Sequence, residues 1–281
     1  MTDTVIRLSH FRSQLDELTD HYARAQPFAH IHLPELLDPD AAQRAATAFP
    51  SPGGDAWTQY KHYNENKLGQ HDRRRFPPDI ARVVHALSAP PFFAFLSHLT
   101  GIPDLLVDPA LEGGGLHQTE RGGFLNRHAE VASHHHKPNW RRRCNLILYL
   151  NEHWEDEWGG AIELWDADMT ACVTRIAPRL NHALIFNTTD VSFHGYPDAL
   201  RCPADVTRKS LALYYYTVDA APARRPRATN YRPRPTDGRC RRLAIWLDKK
   251  LLAVYSRIKS RLGLSDRFAS RVLGLFSRRR R

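Results

Sequence analysis

Residues 144–165 read CNLILYLNEHWEDEWGGAIELW: two short apolar runs, NLILYLN and GAIELWD, around a polar turn that closes on Gly159-Gly160. Runs of this length, bounded by turn-forming residues and rich in aliphatic and aromatic side chains, read as strands. Working outward, ACVTRIA (171–177), HALIFN (182–187) and SLALYYYTV (210–218) repeat the pattern, separated by DADM (166–169) and HGYPDA (194–199). Strands at this spacing with no helices between them predict an antiparallel sandwich or jelly roll from about Gly115 to Val218.

Before this region, from Met1 to Leu111, the chain reads as mixed helix and loop. Asp38-Pro39-Asp40 precedes AAQRAATAF as a capped helix, and IARVVHAL (80–87) and PFFAFLSHL (91–99) are two more helical stretches punctuated by prolines. After it, residues 220–238 (AAPARRPRATNYRPRPTDG) are Pro- and Arg-rich and read as a linker or an arm laid over the surface. Leu243, Trp246, Leu247, Leu251, Val254, Tyr255, Ile258 and Leu262 then recur at steps of three and four, a helix with one apolar stripe that Gly263 stops. A second short helix is expected from Ser265, with Phe268, Val272, Leu275 and Phe276 on one side, running out into Arg278–Arg281. The expected organisation is a domain over 1–220 (helical support 1–110, jelly-roll core 111–220), a linker or arm over 221–238 and a basic amphipathic helical tail over 239–281. The fold class is therefore mainly β with flanking helices.

Composition sets limits on function. With 42% hydrophobic and 25% charged residues in 281, the chain can bury a sizeable core. No apolar stretch approaches the 18 or so residues of a membrane span, and the first residues lack the zones of a signal peptide, so a cytoplasmic protein is expected. Cys144, Cys172, Cys202 and Cys240 form no CxxC pair, which argues against a zinc knuckle and a disulfide framework. The net charge of +10 is unevenly spread: residues 221–281 hold 19 Lys and Arg against three Asp, while the first 220 hold 21 basic and 27 acidic residues. Any attraction to a polyanion therefore belongs to the tail. Three roles remain open for its helices: a scaffold on the barrel, peripheral contact of 240–281 with an anionic membrane at its inner face, or nucleic-acid binding, which the acidic body disfavours.

The chemistry-bearing residues lie in the strand region. In GGFLNRHAEV (122–131), His128 and Glu130 stand at i and i+2, so on a strand both face one way. His194, 66 residues later in TDVSFHGYP, falls at a strand end that a jelly roll can bring alongside. Two imidazoles and one carboxylate make the facial triad of non-haem Fe(II) oxygenases. Arg208, followed by Ser210 in TRKSLALYYYT, offers a planar fork suited to a buried carboxylate, while Lys209 faces the other way. His134-His135-His136 precedes Pro138 and reads as a solvated loop with one histidine at the mouth of the site rather than a second metal site. Arg141–Arg143 read as a charged strand entrance, and His117 and Gln118 as structural residues or neighbours of the site.

The ordered set GGGLHQ, GGFLNRHAE, RRRCNLILYLNEHWEDEWGGAIELWD, IAPRLNHALIFNTTDVSFHGYP and RKSLALYYYT resembles the 2-oxoglutarate- and Fe(II)-dependent dioxygenases of the prolyl hydroxylase type over roughly residues 111–218. The resemblance implies a double-stranded β-helix, Fe(II) held by His128, Glu130 and His194, and the distal carboxylate of 2-oxoglutarate bound by Arg208. It also implies Tyr149, Asn145 and Ser210 in the co-substrate site, with O2 as oxidant and ascorbate as a reductant. The family motif is usually His-x-Asp. Here the acid is one methylene longer, about 1.5 Å of extra reach, which is read as a ligand accommodated by a shift of strand or side chain. The implied substrate is a prolyl or other amino-acid residue of a peptide, or a related small molecule. A lipid- or sugar-linked intermediate at a membrane, or a non-catalytic binding module with a degenerate metal site, stand as alternatives.

Overall fold

The computed structural model describes residues 5–130, 133–134, 136–221 and 229–262, with side chains described up to Leu251. Six helices and thirteen strands follow in chain order: α1 (Leu8–Arg12), α2 (Leu15–Arg24), β1 (His30–Leu33), α3 (Pro39–Thr47), β2 (Thr58–His62), β3 (Glu65–Gln70), α4 (Pro78–Leu87), α5 (Pro90–Thr100), β4 (Leu106–Val107), β5 (Gly115–Thr119), β6 (Phe124–Ala129), β7 (Trp140–Tyr149), β8 (Ile162–Trp165), β9 (Cys172–Ile176), β10 (Ala183–Asn187), β11 (His194–Tyr196), β12 (Arg208–Val218), β13 (Asn230–Tyr231) and α6 (Arg239–Leu262). Ten of the strands form one antiparallel sheet in the order β1-β10-β7-β12-β5-β3-β6-β11-β8-β9, with β2 added on β3, β4 on β12 and β13 on β6, curled into a nearly closed barrel of jelly-roll type.

The helices begin and end for local reasons. Asp38 caps α3 by accepting from the N–H groups of Asp40 and Ala41, and Pro39 occupies the first turn, where its missing N–H costs nothing. Gly101, at φ +68°, ends α5 in the left-handed region. The apolar faces of α4 and α5 (Ile80, Val83, Val84, Phe92, Phe95, Leu96, Leu99) pack on one face of the sheet, made by Leu146 and Leu148 of β7, Ile185 of β10, and Leu211, Leu213 and Tyr215 of β12. The alternate residues of the same strands, Tyr149, Leu184 and Phe186, point into the barrel and meet Ile162, Leu164 and Ile176. Among the described residues no single helix is long and apolar enough to cross a membrane; the bent pair α4–α5 passes that test only jointly, and its apolar residues lie in this core.

Two readings of the sequence need correction. The stretch from Met1 to Leu111 is not only helix and loop, because β1, β2, β3 and β4 also come from it. β3 closes the barrel by pairing with both β5 and β6. Its sequence, ENKLGQ, is polar because the face that would be apolar in a sandwich here lines a polar cavity. The triple-histidine segment is not simply solvated either: His134 is buried, with its imidazole 3.3 Å from Asp108 Oδ2 and 3.4 Å from Glu112 Oε2, whereas His136 is exposed. His135 and the second tail helix over 265–281 lie outside the described residues.

β13 and the first turns of α6 sit on the barrel. β13 pairs with β6 opposite Ala129 and His128. Ile245 of α6 is 1% exposed, clustered with Leu125, Tyr196 and Tyr231. Asp248 of the same helix accepts from Asn64 (2.6 Å) and pairs with His62 (2.8 Å).

Candidate metal centre

β6 and β11 are neighbours, and their register places His194 directly opposite His128. Both imidazoles are fixed in the same way: Nδ1 of His128 lies 3.0 Å from the carbonyl of Asn126, and Nδ1 of His194 lies 3.0 Å from that of Ser192. A carbonyl can only accept, so each Nδ1 donates, and Nε2 is the ring atom left to ligate. Both Nε2 atoms face Glu130, one residue past the end of β6, whose Oε1 is 3.5 Å from Nε2 of His128 and 3.8 Å from Nε2 of His194. The three donor atoms lie within 4.8 Å of one another. Around an octahedral ion with bonds near 2.1 Å, adjacent ligand atoms sit roughly 3 Å apart, so these residues fit a metal after a small contraction. Burial and the neighbouring His128 push His194 down to about 3, which keeps it neutral.

The second oxygen of the carboxylate is also occupied. Arg142 donates from Nη1 to Glu130 Oε2 at 2.7 Å, with its guanidinium 3.9 Å from the Tyr214 ring centre. Burial by itself would raise the carboxyl of Glu130, but Arg142 and the contact with His128 outweigh it and hold the group well below the usual range. Glu130 thus presents one oxygen to the histidines and the other to Arg142. Sequence reading missed this role because β7 carries a bulge: Tyr215 pairs with Cys144 but Tyr216 pairs with Arg142, so Arg143 is skipped. Strict alternation from Tyr149 would send Arg143 inward and Arg142 outward. The bulge reverses them.

Arg208 opens β12, 3% exposed. Its Nε donates to the carbonyl of Gly160 (2.8 Å) and its Nη2 to the Tyr149 hydroxyl (3.3 Å), and its guanidinium carbon lies 4.0 Å from the Tyr196 ring centre. No carboxylate pairs with it among the described residues, so a buried cation stands without a protein counter-ion, which fits a ligand carboxylate. Ser210 lies opposite Tyr149 across the β12–β7 ladder and is buried. Asn145 lies four residues from Tyr149 on β7, opposite Tyr214, and accepts from Thr188 (3.4 Å) rather than contacting Arg208.

A cavity of about 200 Å³ opens in front of His128 and Glu130. Its wall includes Arg142, Lys67, Glu65, His117 and, from the C-terminal arm, Thr229 and Tyr231. Lys67 pairs with Glu65 at 3.2 Å. Burial and Lys67 drive His117 down to about 3, so its imidazole is neutral. Nothing in the polar run from Glu65 to Lys67 marked it as part of this wall. Only its place in the sheet, between β5 and β6, brings it there.

A model of the 2OG-Fe(II) oxygenase superfamily matches residues 114–216. This part of the chain contains His128, Glu130, His194, Tyr149 and Arg208, and it is similar to the 2-oxoglutarate- and Fe(II)-dependent oxygenases, enzymes whose cofactor is Fe(II) and whose co-substrates are 2-oxoglutarate and O2. Among solved structures the fold is similar to a prolyl hydroxylase from Trichoplax adhaerens in complex with a hypoxia inducible factor oxygen degradation domain peptide fragment, at 13% identity and a TM-score of 0.51 over 75% of this chain and 92% of that one. It is also similar to a prolyl 4-hydroxylase from Phytophthora capsici, at 16% identity and a TM-score of 0.50 over 90% of this chain and 83% of that one. No curated protein matches the sequence.

Proposed function

We propose that this oxygenase hydroxylates an unactivated C–H bond, with Fe(II) held by His128, Glu130 and His194 and 2-oxoglutarate anchored through its distal carboxylate by Arg208. The observation that carries the reading is the pairing of two buried features: three donor atoms converging within 4.8 Å, and an arginine with no counter-ion among the described residues on a strand of the same barrel. A degenerate centre would not need the far oxygen of its glutamate tied down, and the Arg142–Glu130 contact therefore favours a working one.

Bound there, Fe(II) with 2-oxoglutarate and O2 supplies the oxidising power for C–H cleavage while the co-substrate leaves as succinate and CO2. The chain's own residues do the rest. The carbonyls of Asn126 and Ser192 hold the imidazoles in the ligating tautomer. Arg142 orients the carboxylate. Tyr149 and the Gly160 carbonyl fix the Arg208 fork, and Tyr196 covers one face of the guanidinium, keeping water from the carboxylate it would receive.

The substrate class we propose is a prolyl or other amino-acid residue in a peptide, or a small molecule of that kind. The Trichoplax protein of similar fold is seen with a peptide fragment, and the cavity wall, with its Glu65–Lys67 pair beside Arg142, supplies donors and acceptors for amide or amino-acid groups rather than an apolar slot. Ascorbate would serve as an external reductant. The test is 2-oxoglutarate turnover, read as succinate by chromatography. The wild type should form succinate slowly without substrate and faster when a proline-containing peptide pool is added, and His128→Ala and His194→Ala should abolish both rates. Succinate formation equal in wild type and His194→Ala would refute the assignment.

A further inference from the structure

α6 has two faces of different kinds. One is docked: Ile245 is buried against Leu125, Tyr196 and Tyr231, and Asp248, the only acid of the helix, is occupied by His62 and Asn64. The other is bare. Leu243, Trp246, Leu247 and Leu251 are 56, 52, 47 and 67% exposed, and these four are half of the exposed large hydrophobic side chains among the described residues. At about 100° per residue, Leu243, Leu247 and Leu251 fall within roughly 80° of one another and Trp246 joins their edge, while Ile245 points to the far side. Single exposed apolar residues are ordinary on a protein surface, but a stripe of them on one helix marks something that covers it.

The charge around the stripe says what kind of surface that is. Arg239 and Lys250 lie on the bare side, Lys250 5.5 Å from the Trp246 ring centre, and Arg242 at its edge, whereas Arg241 and Lys249 turn to the docked side and meet Asp237 and Asn230; residues 221–281 as a whole carry 19 basic side chains against three acids. A nucleic acid would match the charge and leave the leucines in water. A second copy would cover the leucines and bring two strongly cationic tails together. An anionic lipid surface satisfies both: leucine and tryptophan enter the boundary between headgroups and acyl chains, and arginine and lysine meet the phosphates.

We propose that the bare face of α6 seats the protein on an anionic membrane surface. The helix is not a free tether in this arrangement. Tyr231, which packs with Ile245, also lines the cavity in front of His128 and Glu130, so the seated helix and the cavity share a wall. The inference stands on the helix alone and holds whatever reaction the cavity performs.

The experiment is co-sedimentation of the full chain with vesicles of phosphatidylcholine containing or lacking 30% phosphatidylglycerol, for the wild type and the double variant Leu247→Glu/Leu251→Glu. Both positions are exposed, so circular dichroism and gel filtration should show that variant folded as the wild type is. The expected result is binding to the anionic vesicles at least 10-fold stronger than to the neutral ones, weakened at least 10-fold in the double variant, together with quenching by bromine-labelled lipid that Trp246→Phe removes. Equal sedimentation of wild type and double variant would overturn the proposal, as would absence of sedimentation. Two further outcomes would overturn it in favour of another occupant: a dimer by light scattering that the double variant converts to monomer, or binding to single-stranded DNA as strong as to vesicles and unaffected by the double variant.

Discussion

Replacing Glu130 by the aspartate usual at this position in the family should weaken the metal centre instead of improving it. Oε1 of Glu130 lies 3.5 and 3.8 Å from the two Nε2 atoms while Oε2 lies 2.7 Å from Arg142. Removing one methylene withdraws the carboxylate by about 1.5 Å. Either the near oxygen then stands roughly 5 Å from the imidazoles, or the far oxygen stands roughly 4 Å from the guanidinium, and the charge-assisted hydrogen bond is lost. Such a bond contributes about 1.5–3 kcal/mol, which corresponds to about 10- to 150-fold in affinity. Anaerobic calorimetric titration of the metal-free protein with Fe(II), repeated with Co(II) as an air-stable probe, would measure it without any turnover. The same substitution in an Arg142→Met background should cost less than about 3-fold, because the contact being broken is already gone. Equal or tighter metal binding by Glu130→Asp in the wild-type background, or the same cost in both backgrounds, would refute this account of why the longer acid is used.

Three other outcomes are expected. In Gly160→Ala, at φ +76°, the new Cβ would stand 2.7 Å from Leu200 Cδ2 and 3.2 Å from Arg208 Cδ, so 2-oxoglutarate affinity should fall by about 10-fold; unchanged affinity by equilibrium dialysis would show that Arg208 is not held from this side. Burial lowers His62, but its contacts with Asp248 and Glu65 outweigh this and raise it to about 9. A folded value above the unfolded one means that the stabilisation is complete below about 6.5 and is lost as pH rises through about 9, an effect of roughly 3 kcal/mol that His62→Gln should remove from a urea-denaturation series; an identical pH profile in the variant would contradict it. Asn181, at φ +62°, bonds both the N–H and the carbonyl of Leu37 through its side-chain amide, each at 2.8 Å, so Asn181→Ala should cost about 2–4 kcal/mol, and a loss below 1 kcal/mol by the same denaturation assay would argue against that double contact.

What could be read from the sequence was what alternates cleanly. NLILYLN, HALIFN and SLALYYYTV became β7, β10 and β12 because one set of their alternate residues meets helices and the other meets the barrel interior. The spacing of His128 and Glu130 placed both on one face, and the late position of His194 matched an adjacent strand. Arg208 and Tyr149, both singled out in the sequence, stand in contact across neighbouring strands. The hidden parts depended on irregularities or on distant partners. Arg142 reaches the centre only because a bulge displaces Arg143. β3 looked like loop because its residues face charged neighbours, as in the Glu65–Lys67 pair, instead of a core. His134 looked solvated because its partners, Asp108 and Glu112, lie more than twenty residues earlier. The docked face of α6 was masked by its own amphipathicity: the conspicuous stripe is exposed over its described part, Leu243 to Leu251, and the barrel is met by Ile245 and Asp248 on the other side.

The most direct test of the central claim is anaerobic addition of 2-oxoglutarate to the Fe(II)-loaded protein while watching for the weak visible charge-transfer band of the chelated co-substrate. The account predicts a band in the wild type, its loss in His194→Ala even at excess Fe(II), and in Arg208→Ala its appearance only at co-substrate concentrations higher by about 100-fold, as expected for a lost buried carboxylate–arginine contact. A wild-type protein that gives no band under saturating Fe(II) and 2-oxoglutarate, or an Arg208→Ala variant that titrates as the wild type does, would contradict it.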